Sequence, residues 1–235
     1  MAPRPVLEIT VESLDNALAA ERAGADRIEL CAELMHGGTT PTLEAMRAIH
    51  NQVEIPIFPI VRPRKGDFLY SEKEFETMKH TIDNARDLGM DGVVFGILLL
   101  DGRIDVERTT ELVTWARPLE VTFHRAFDES ADLFESLGMV IATGATRILT
   151  SGGTSTAPEA VETLQKLVIA AGDRILIMPG SGLDASNIRH IASETRAKEF
   201  HSGLSTVLPY GSGNLLRFEA EVHEMKRQLV AATGS

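Results

Sequence analysis

The segment RIELCAELMHGG, residues 27–38, contains the only cysteine of the chain, Cys31. A carboxylate, a thioether and an imidazole lie close to this thiol in sequence, in Glu29, Met35 and His36. Thiolate and thioether sulfur atoms are soft ligands, so the segment could contribute to a soft-metal site. A lone thiol at the end of an apolar run could equally be a small buried core residue. The choice depends on which other groups the fold brings to Cys31.

Further ionisable residues lie at the ends of other short apolar runs. They are Glu8, Arg62, His124, Arg125 and His201. Burying such groups costs free energy unless they form ion pairs or remain hydrated. As a set, together with Glu29, they therefore predict a polar pocket, provided that the fold gathers the ends of these runs in one place.

Eight apolar runs, each followed by turn residues and a helical pattern, divide the chain into strand–helix units. The runs are VLEIT (6–10), RIELC (27–31), IPIFPIV (55–61), GVVFG (92–96), EVTFHRAFD (120–128), RILTSGG (147–153), RILIMPGSG (174–182) and EFHSG (199–203). Strict alternation of strands and helices implies a parallel sheet. We therefore predict an α/β fold, a closed (β/α)8 TIM barrel that forms a single domain over residues 1–235. An open doubly wound sheet is the alternative, and the lack of a GxGxxG motif after the first run disfavours it.

In such a barrel the active site lies at the carboxyl ends of the strands. Alternation along each strand directs the following side chains to the barrel axis: Glu8, Thr10, Glu29, Cys31, Thr122, His124, Glu199 and His201. Buried Glu–Arg pairs at a barrel floor are often structural, and Glu199 is a candidate for one.

Two chemistries are compatible with the groups expected at the barrel mouth. In the first, Glu8 and Glu29 act as acid and base in a proton transfer next to a carbonyl group, and His124 polarises the carbonyl oxygen. In the second, Glu29, His124 and His201 bind a divalent metal ion.

Anion binding is a further expectation for the mouth. Arg62 and Arg125 could hold an anionic substrate, and Asp67 follows in the loop after the third run. Glycine-rich turns end the last three runs, where backbone amides could approach a phosphate. These turns add the candidate substrate-binding residues Ser151, Gly152, Gly180, Gly182 and Ser202.

Composition excludes several classes of partner. The net charge is −11, without a clustered run of Lys or Arg, so neither nucleic acid nor a membrane surface is an expected partner. A single cysteine excludes an internal disulfide and a cysteine-only zinc site. No apolar run approaches the roughly 20 residues of a membrane span, and the start lacks a signal-peptide pattern. We expect a cytoplasmic protein, and no organic cofactor is indicated.

The chain resembles the CutC family, named as copper homeostasis proteins. The resemblance runs almost from end to end, in RIELC, GGTTP, RPRKGDFLYS, DGVVFG, VTFHRAFD, RILTSGG, IMPGSG and EFHSG. It implies a (β/α)8 barrel, a cytoplasmic location, a homo-oligomer (dimer or tetramer) and a role in copper homeostasis with copper ion binding. Relatives often carry a cysteine where this chain has Thr10, and a Ser-Ala-Arg run where it has Ser202-Gly203-Leu204. These departures remove soft ligands and a candidate anion-binding arginine.

Three interpretations follow. The first is a copper homeostasis barrel with Cys31, His124 and His201 as candidate copper ligands. The second is an isomerase, epimerase or lyase that acts on a small phosphorylated or carboxylated sugar-like molecule. The third is a scaffold within an oligomer, which the strongly polar mouth disfavours.

Overall fold

Each of the eight predicted runs forms a parallel strand in the computed structural model, which describes residues 4–205, 207–208 and 213–233. The strands are β1 (Val6–Val11), β2 (Arg27–Leu30), β3 (Ile57–Pro59), β4 (Gly92–Phe95), β5 (Glu120–Phe123), β6 (Arg147–Thr150), β7 (Leu176–Pro179) and β8 (Glu199–Ser202). The predicted (β/α)8 fold is confirmed. The predicted domain bounds, residues 1 and 235, lie outside the described residues.

One α-helix follows each strand. The helices are α1 (Leu14–Arg22), α2 (Leu43–His50), α3 (Glu72–Asp87), α4 (Val106–Ala116), α5 (Leu133–Thr143), α6 (Val161–Ala171), α7 (Ile188–Thr195) and α8 (Leu215–Thr233). Short 3-10 helices at Leu34–His36 and Arg125–Glu129 add structure to the loops that leave β2 and β5. No helix in the described part of the chain is long and apolar enough to cross a bilayer.

The strands form two parallel groups, in the orders β3-β2-β1-β8 and β4-β5-β6-β7. A single bridge between Ile60 and Val94 links β3 to β4. Pro59 ends β3 after three residues, in agreement with the irregularity that a proline predicts within a strand.

The register of β1 against its two neighbours decides which polar groups meet inside the barrel. Glu8 lies opposite Arg27 on β2 and opposite His201 on β8. Two residues further along β1, Thr10 lies opposite Glu29. Because side chains alternate along a strand, these residues share the inner face.

The outward faces of the same strands build the main core against the helices. Leu7, Ile9, Ile28, Leu30 and Phe200 are fully buried in the core cluster. This is the outward set that alternation predicts for β1, β2 and β8. Burial of these apolar side chains is the main stabilising contribution to the fold.

A ladder of alternating charges fills the barrel floor. Arg27 bonds Glu8 through Nε and bonds Glu199 through Nη2, at 2.6 Å. Arg147 donates from Nε to the same Glu199 carboxylate at 2.9 Å. Both guanidinium groups lie over the Phe58 ring, 4.9 and 5.0 Å from its centroid. The buried Glu–Arg pairing expected of Glu199 is thereby observed.

We predict that Glu199→Gln lowers the free energy of unfolding by about 3 kcal/mol, because two buried arginines lose a shared counter-ion. Urea unfolding followed by circular dichroism measures the change. Glu162→Gln, which removes the same charge from the exposed pair with Lys166, is the matched control and should leave stability unchanged. Equal effects of the two substitutions would contradict a structural role for the ladder.

Candidate functional site

A cavity of about 320 Å³ opens at the carboxyl ends of the strands, where the active sites of barrels lie. Its polar lining includes Thr10, Glu29, His36, Arg62, His124, Arg125, Asp128, Glu129, Ser181, His201 and Ser205. Six of the predicted site residues therefore line one cavity, namely Glu29, Arg62, His124, Arg125, Gly182 and His201.

A hydrogen-bonded relay connects the barrel floor to this cavity. His201 Nδ1 lies 2.7 Å from Glu8 Oε1, and His201 Nε2 lies 2.9 Å from Thr10 Oγ1. The Thr10 hydroxyl donates to Glu29 Oε2 at 3.0 Å. All donor directions agree when His201 carries both ring protons. The relay then runs from the Glu8 carboxylate, through an imidazolium and a hydroxyl, to Glu29.

Electrostatics in the relay follow from burial and pairing. Burial opposes ionisation of Glu8, but Arg27 and His201 outweigh it, so the pKa of Glu8 lies well below its usual value. Burial also disfavours the charged form of His201, yet Glu29 and Glu8 raise its pKa above 6.5. Burial, reinforced by the Glu8 charge, raises the pKa of Glu29. The relay therefore holds a fixed anion, a cation and a carboxyl group that retains its proton readily.

Glu8, Glu29 and His201 can also be considered as metal ligands. One ligand atom from each lies within 4.8 Å of the other two, the one such cluster of acidic, His and Cys side chains in the described residues. Glu29 Oε1 is buried and has no hydrogen-bond partner within the described structure. Carboxylate and imidazole donors suit divalent transition metals, whereas Cu(I) prefers thiolate and thioether sulfur.

Cys31 lies outside this ligand cluster. It is 1% exposed and packs with Phe58, Ile60 and Val94, and partly buried Leu34 covers the group. Burial, with the nearby Glu29 charge, raises the pKa of the thiol, which disfavours the thiolate that a metal needs. The structure thus supports the interpretation of Cys31 as a small buried residue.

His124 lies on the cavity with one ring nitrogen occupied and the other unpaired. Its Nδ1 accepts a hydrogen bond from the Ala126 amide at 3.2 Å, so the neutral ring carries its proton on Nε2. That Nε2 is buried and has no partner in the structure as described. Burial, together with the charges of Arg62 and Arg125, lowers the pKa of His124 to about 3. His124 is therefore a neutral hydrogen-bond donor, as the polarising role requires.

Arg62 is held by backbone carbonyls rather than by carboxylates. Its Nη1 donates to the carbonyls of His36 and Gly38, at 3.2 and 3.0 Å, and its Nη2 donates to Gly66 at 2.7 Å. The guanidinium group stacks on Phe68, 4.8 Å from the ring centroid. These contacts join the loops after β2 and β3 at the cavity wall.

The turn after β6 is occupied by a carboxylate of the chain itself. Asp128 accepts hydrogen bonds from the amides of Ser151 and Gly153, each at 3.0 Å. Arg125 donates to Asp128 from Nε and to Ser151 and Ser181 from its other nitrogens. A phosphate would need these amides, so the predicted anion-binding role of the turn is filled internally.

The remaining candidate residues have separate positions. Gly182 lines the cavity, whereas Gly180 gives close packing, since a Cβ there would lie 2.4 Å from Leu149. Ser202 donates to the Leu183 carbonyl and is buried. Asp67 pairs with Arg64 on an exposed turn and is not among the cavity-lining residues.

Phe68, Asp128 and Ser181 are among the cavity residues that the sequence analysis did not identify. Asp128 stands three residues after Arg125, a spacing at which oppositely charged side chains can pair, and this was an available signal. Ser181 has a positive φ of 74°, and nothing in its residue type predicts such a conformation. Phe68 resembles any other apolar loop residue in the sequence.

Comparisons of this sequence with known proteins identify one family. The CutC family model matches residues 5–206. A family protein CutC from Chromobacterium violaceum is 41% identical over 232 residues, which cover 97% of this chain and 94% of that protein. The copper homeostasis protein cutC homolog of Homo sapiens is 45% identical over 196 residues, 83% of this chain and 72% of the human protein.

Solved structures support the same fold. A CutC protein from Streptococcus agalactiae superposes with a TM-score of 0.80 at 32% identity and covers 85% of this chain and 98% of that chain. Phosphoribosylanthranilate isomerase from Thermotoga maritima superposes with a TM-score of 0.63 at 14% identity, covering 97% of this chain and 98% of that chain. The second likeness shows a shared barrel and nothing about chemistry.

We predict that the two cavity histidines titrate in opposite directions from the ordinary pKa of 6.5. His124 should remain neutral, with its proton on Nε2, down to about pH 5, because its pKa is depressed. His201 should stay cationic at pH 6.5 and lose its charge only as the pH rises through its raised pKa. Long-range ¹⁵N–¹H correlation spectra of the rings measure both. Titration of both rings near pH 6.5 would contradict the relay.

Proposed function

This chain belongs to the CutC family, and from that membership we propose that it serves copper homeostasis by binding copper as Cu(II) in the barrel cavity. Glu29 and His201 supply the oxygen and nitrogen ligands. The observation that carries the proposal is that Glu29 and His201 offer ligand atoms within 4.8 Å of each other, in a buried cluster to which Glu8 also belongs.

Glu8 is not a ligand in the proposed site, but it orients the His201 ring. Its Oε1 lies 2.7 Å from His201 Nδ1, and its Oε2 is engaged by Arg27. A carboxylate bonded to the remote nitrogen of a histidine fixes the ring and leaves the other nitrogen for the metal. His201 Nε2 and the unpaired Oε1 of Glu29 then become the two metal ligands, once Nε2 has released its proton and its contact with Thr10 and once Glu29 has ionised.

The donor set determines which copper ion fits. Imidazole and carboxylate groups bind divalent ions in an order that peaks at Cu(II), ahead of Zn(II). Cu(I) requires several sulfur ligands, and the described cavity lining provides one, the thioether of Met35, which is 64% exposed. The buried Cys31 thiol lies behind apolar neighbours. The residues therefore fit Cu(II) and do not fit a Cu(I) thiolate site.

The interpretation as an isomerase, epimerase or lyase remains a second hypothesis. The barrel enzymes that this chain resembles, at 14% identity, share its fold alone. The cytoplasmic location and the homo-oligomeric state remain predictions from the family resemblance.

We predict that Glu29→Gln weakens Cu(II) binding at least about tenfold, because one ligand oxygen is replaced by an amide. The binding constant is measured by competition with a chromophoric chelator, on protein whose fold is checked by circular dichroism. Cys31→Ser is the control and should leave the Cu(II) constant unchanged. In parallel titrations, Cu(I) should bind weakly to both variants and to the unaltered chain.

The opposite pattern would contradict the proposal. If Cys31→Ser abolished copper binding and Glu29→Gln did not, the ligands would be sulfur rather than oxygen and nitrogen.

A further inference from the structure

Among the described residues, no carboxylate lies in contact with the buried charge of Arg62. The residue is 5% exposed, and within residues 4–205, 207–208 and 213–233 it forms no ion pair with a carboxylate. Its three hydrogen bonds go to neutral carbonyls, and its Nε has no partner. A buried cation without a counter-ion is unfavourable, so an anion at this place would stabilise the site.

His124 provides a second unpaired donor on the same cavity. Its Nδ1 is occupied by the Ala126 amide, and its Nε2–H is buried and unsatisfied. A buried donor without an acceptor costs about 1–3 kcal/mol, which a ligand oxygen would recover. Both donors flank one ring, since the Arg62 guanidinium carbon and the His124 ring each lie 4.8 Å from the Phe68 centroid.

We propose that the cavity binds a small 2-hydroxy or 2-oxo carboxylate, whose carboxylate pairs with Arg62 and whose second oxygen accepts from His124 Nε2–H. This ligand class presents an anionic and a neutral oxygen acceptor on adjacent carbons, and the cavity offers one cationic and one neutral donor beside Phe68. A volume of about 320 Å³ is within the range of small-molecule sites. The inference goes beyond copper binding, because it rests on Arg62 and His124 and not on the metal cluster.

A carboxylate fits better than a phosphate. The backbone amides of the β6 turn, which could cradle a phosphate, already bind Asp128. Arg125 is paired with the same Asp128, which leaves Arg62 as the cation without a carboxylate. Arg62 Nε and His124 Nε2 are both screened from bulk water, so the ligand engages them after a small shift of the cavity side chains.

The test uses ¹⁵N-labelled full-length protein with a metal chelator present, so that its outcome is independent of copper binding. Lactate and pyruvate are the probes, lactamide is the uncharged isostere, and inorganic phosphate is the competing anion. We expect lactate or pyruvate to shift the His124 Nε2–H resonance saturably and to raise the melting temperature, and we expect lactamide to do neither.

Three variants assign the effect. His124→Met removes the donor and should weaken lactate binding at least tenfold, whereas His124→Gln retains an N–H near the Nε2 position and should restore most of it. Thr109→Val removes another unpaired buried hydroxyl, in α4 and away from the cavity lining, and should bind lactate as the unaltered chain does.

Several results would overturn the proposal. They are unchanged lactate binding in His124→Met, equal binding of lactamide, tighter binding of phosphate than of either carboxylate, or no movement of the His124 resonance with any probe. Because copper is absent throughout, failure here leaves copper binding at Glu29 and His201 untouched.

Discussion

The arrangement of this barrel depends on neutralising two arginines that β2 and β6 direct into its interior. Arg27 and Arg147 lie over Phe58 and share the Glu199 carboxylate, and Arg27 also binds Glu8. Uncompensated guanidinium charges in such a place would be strongly destabilising. Glu8 is therefore fixed by the floor, and through its second oxygen it fixes His201. The ladder thereby sets the positions of Glu8 and His201 at the base of the cavity.

The cavity consequently presents mainly nitrogen and oxygen groups, and the exposed thioether of Met35 is the one sulfur in its described lining. Its inner wall has the imidazole of His201 beside the carboxyl of Glu29, bridged by the Thr10 hydroxyl. Arg62 and His124 add a cation and a neutral donor around Phe68. Cys31 is the first residue to consider as a copper ligand, because it carries the only thiol of the chain. In the structure it packs in an apolar cluster instead. The family is named for copper homeostasis, and in this chain the chemistry at the cavity is that of nitrogen and oxygen.

The alternation of strands with helices predicts the barrel, and the alternation of side chains along each strand predicts most of the inward-facing residues. It placed Glu8, Glu29 and His201 on the inner face because the apolar residues between them define the outer one. Alternation does not predict the contacts between these residues, because the contacts depend on the register between different strands. The same holds for the carbonyl cage around Arg62, which is formed by two loops.

Two expectations about loops show where residue type alone is insufficient. The glycine-rich turns after β6 and β7 suggest that the protein binds an anionic ligand there. In the structure, a carboxylate of the chain itself, Asp128, accepts hydrogen bonds from the amides of the β6 turn. The position of Asp67 in a loop near the mouth suggests a substrate-binding residue. In the structure its carboxylate instead accepts a hydrogen bond from the Leu69 amide in its own turn and pairs with Arg64. In both cases a local hydrogen bond satisfies a group that appeared available in the sequence.

Anomalous scattering at the copper edge, from crystals exposed to Cu(II), locates bound copper directly. If copper binds through oxygen and nitrogen in the barrel, the anomalous peak lies within coordination distance of Glu29 and His201 Nε2, with Glu8 still bonded to His201 Nδ1. A peak at Cys31, or peaks confined to the protein surface, would contradict it.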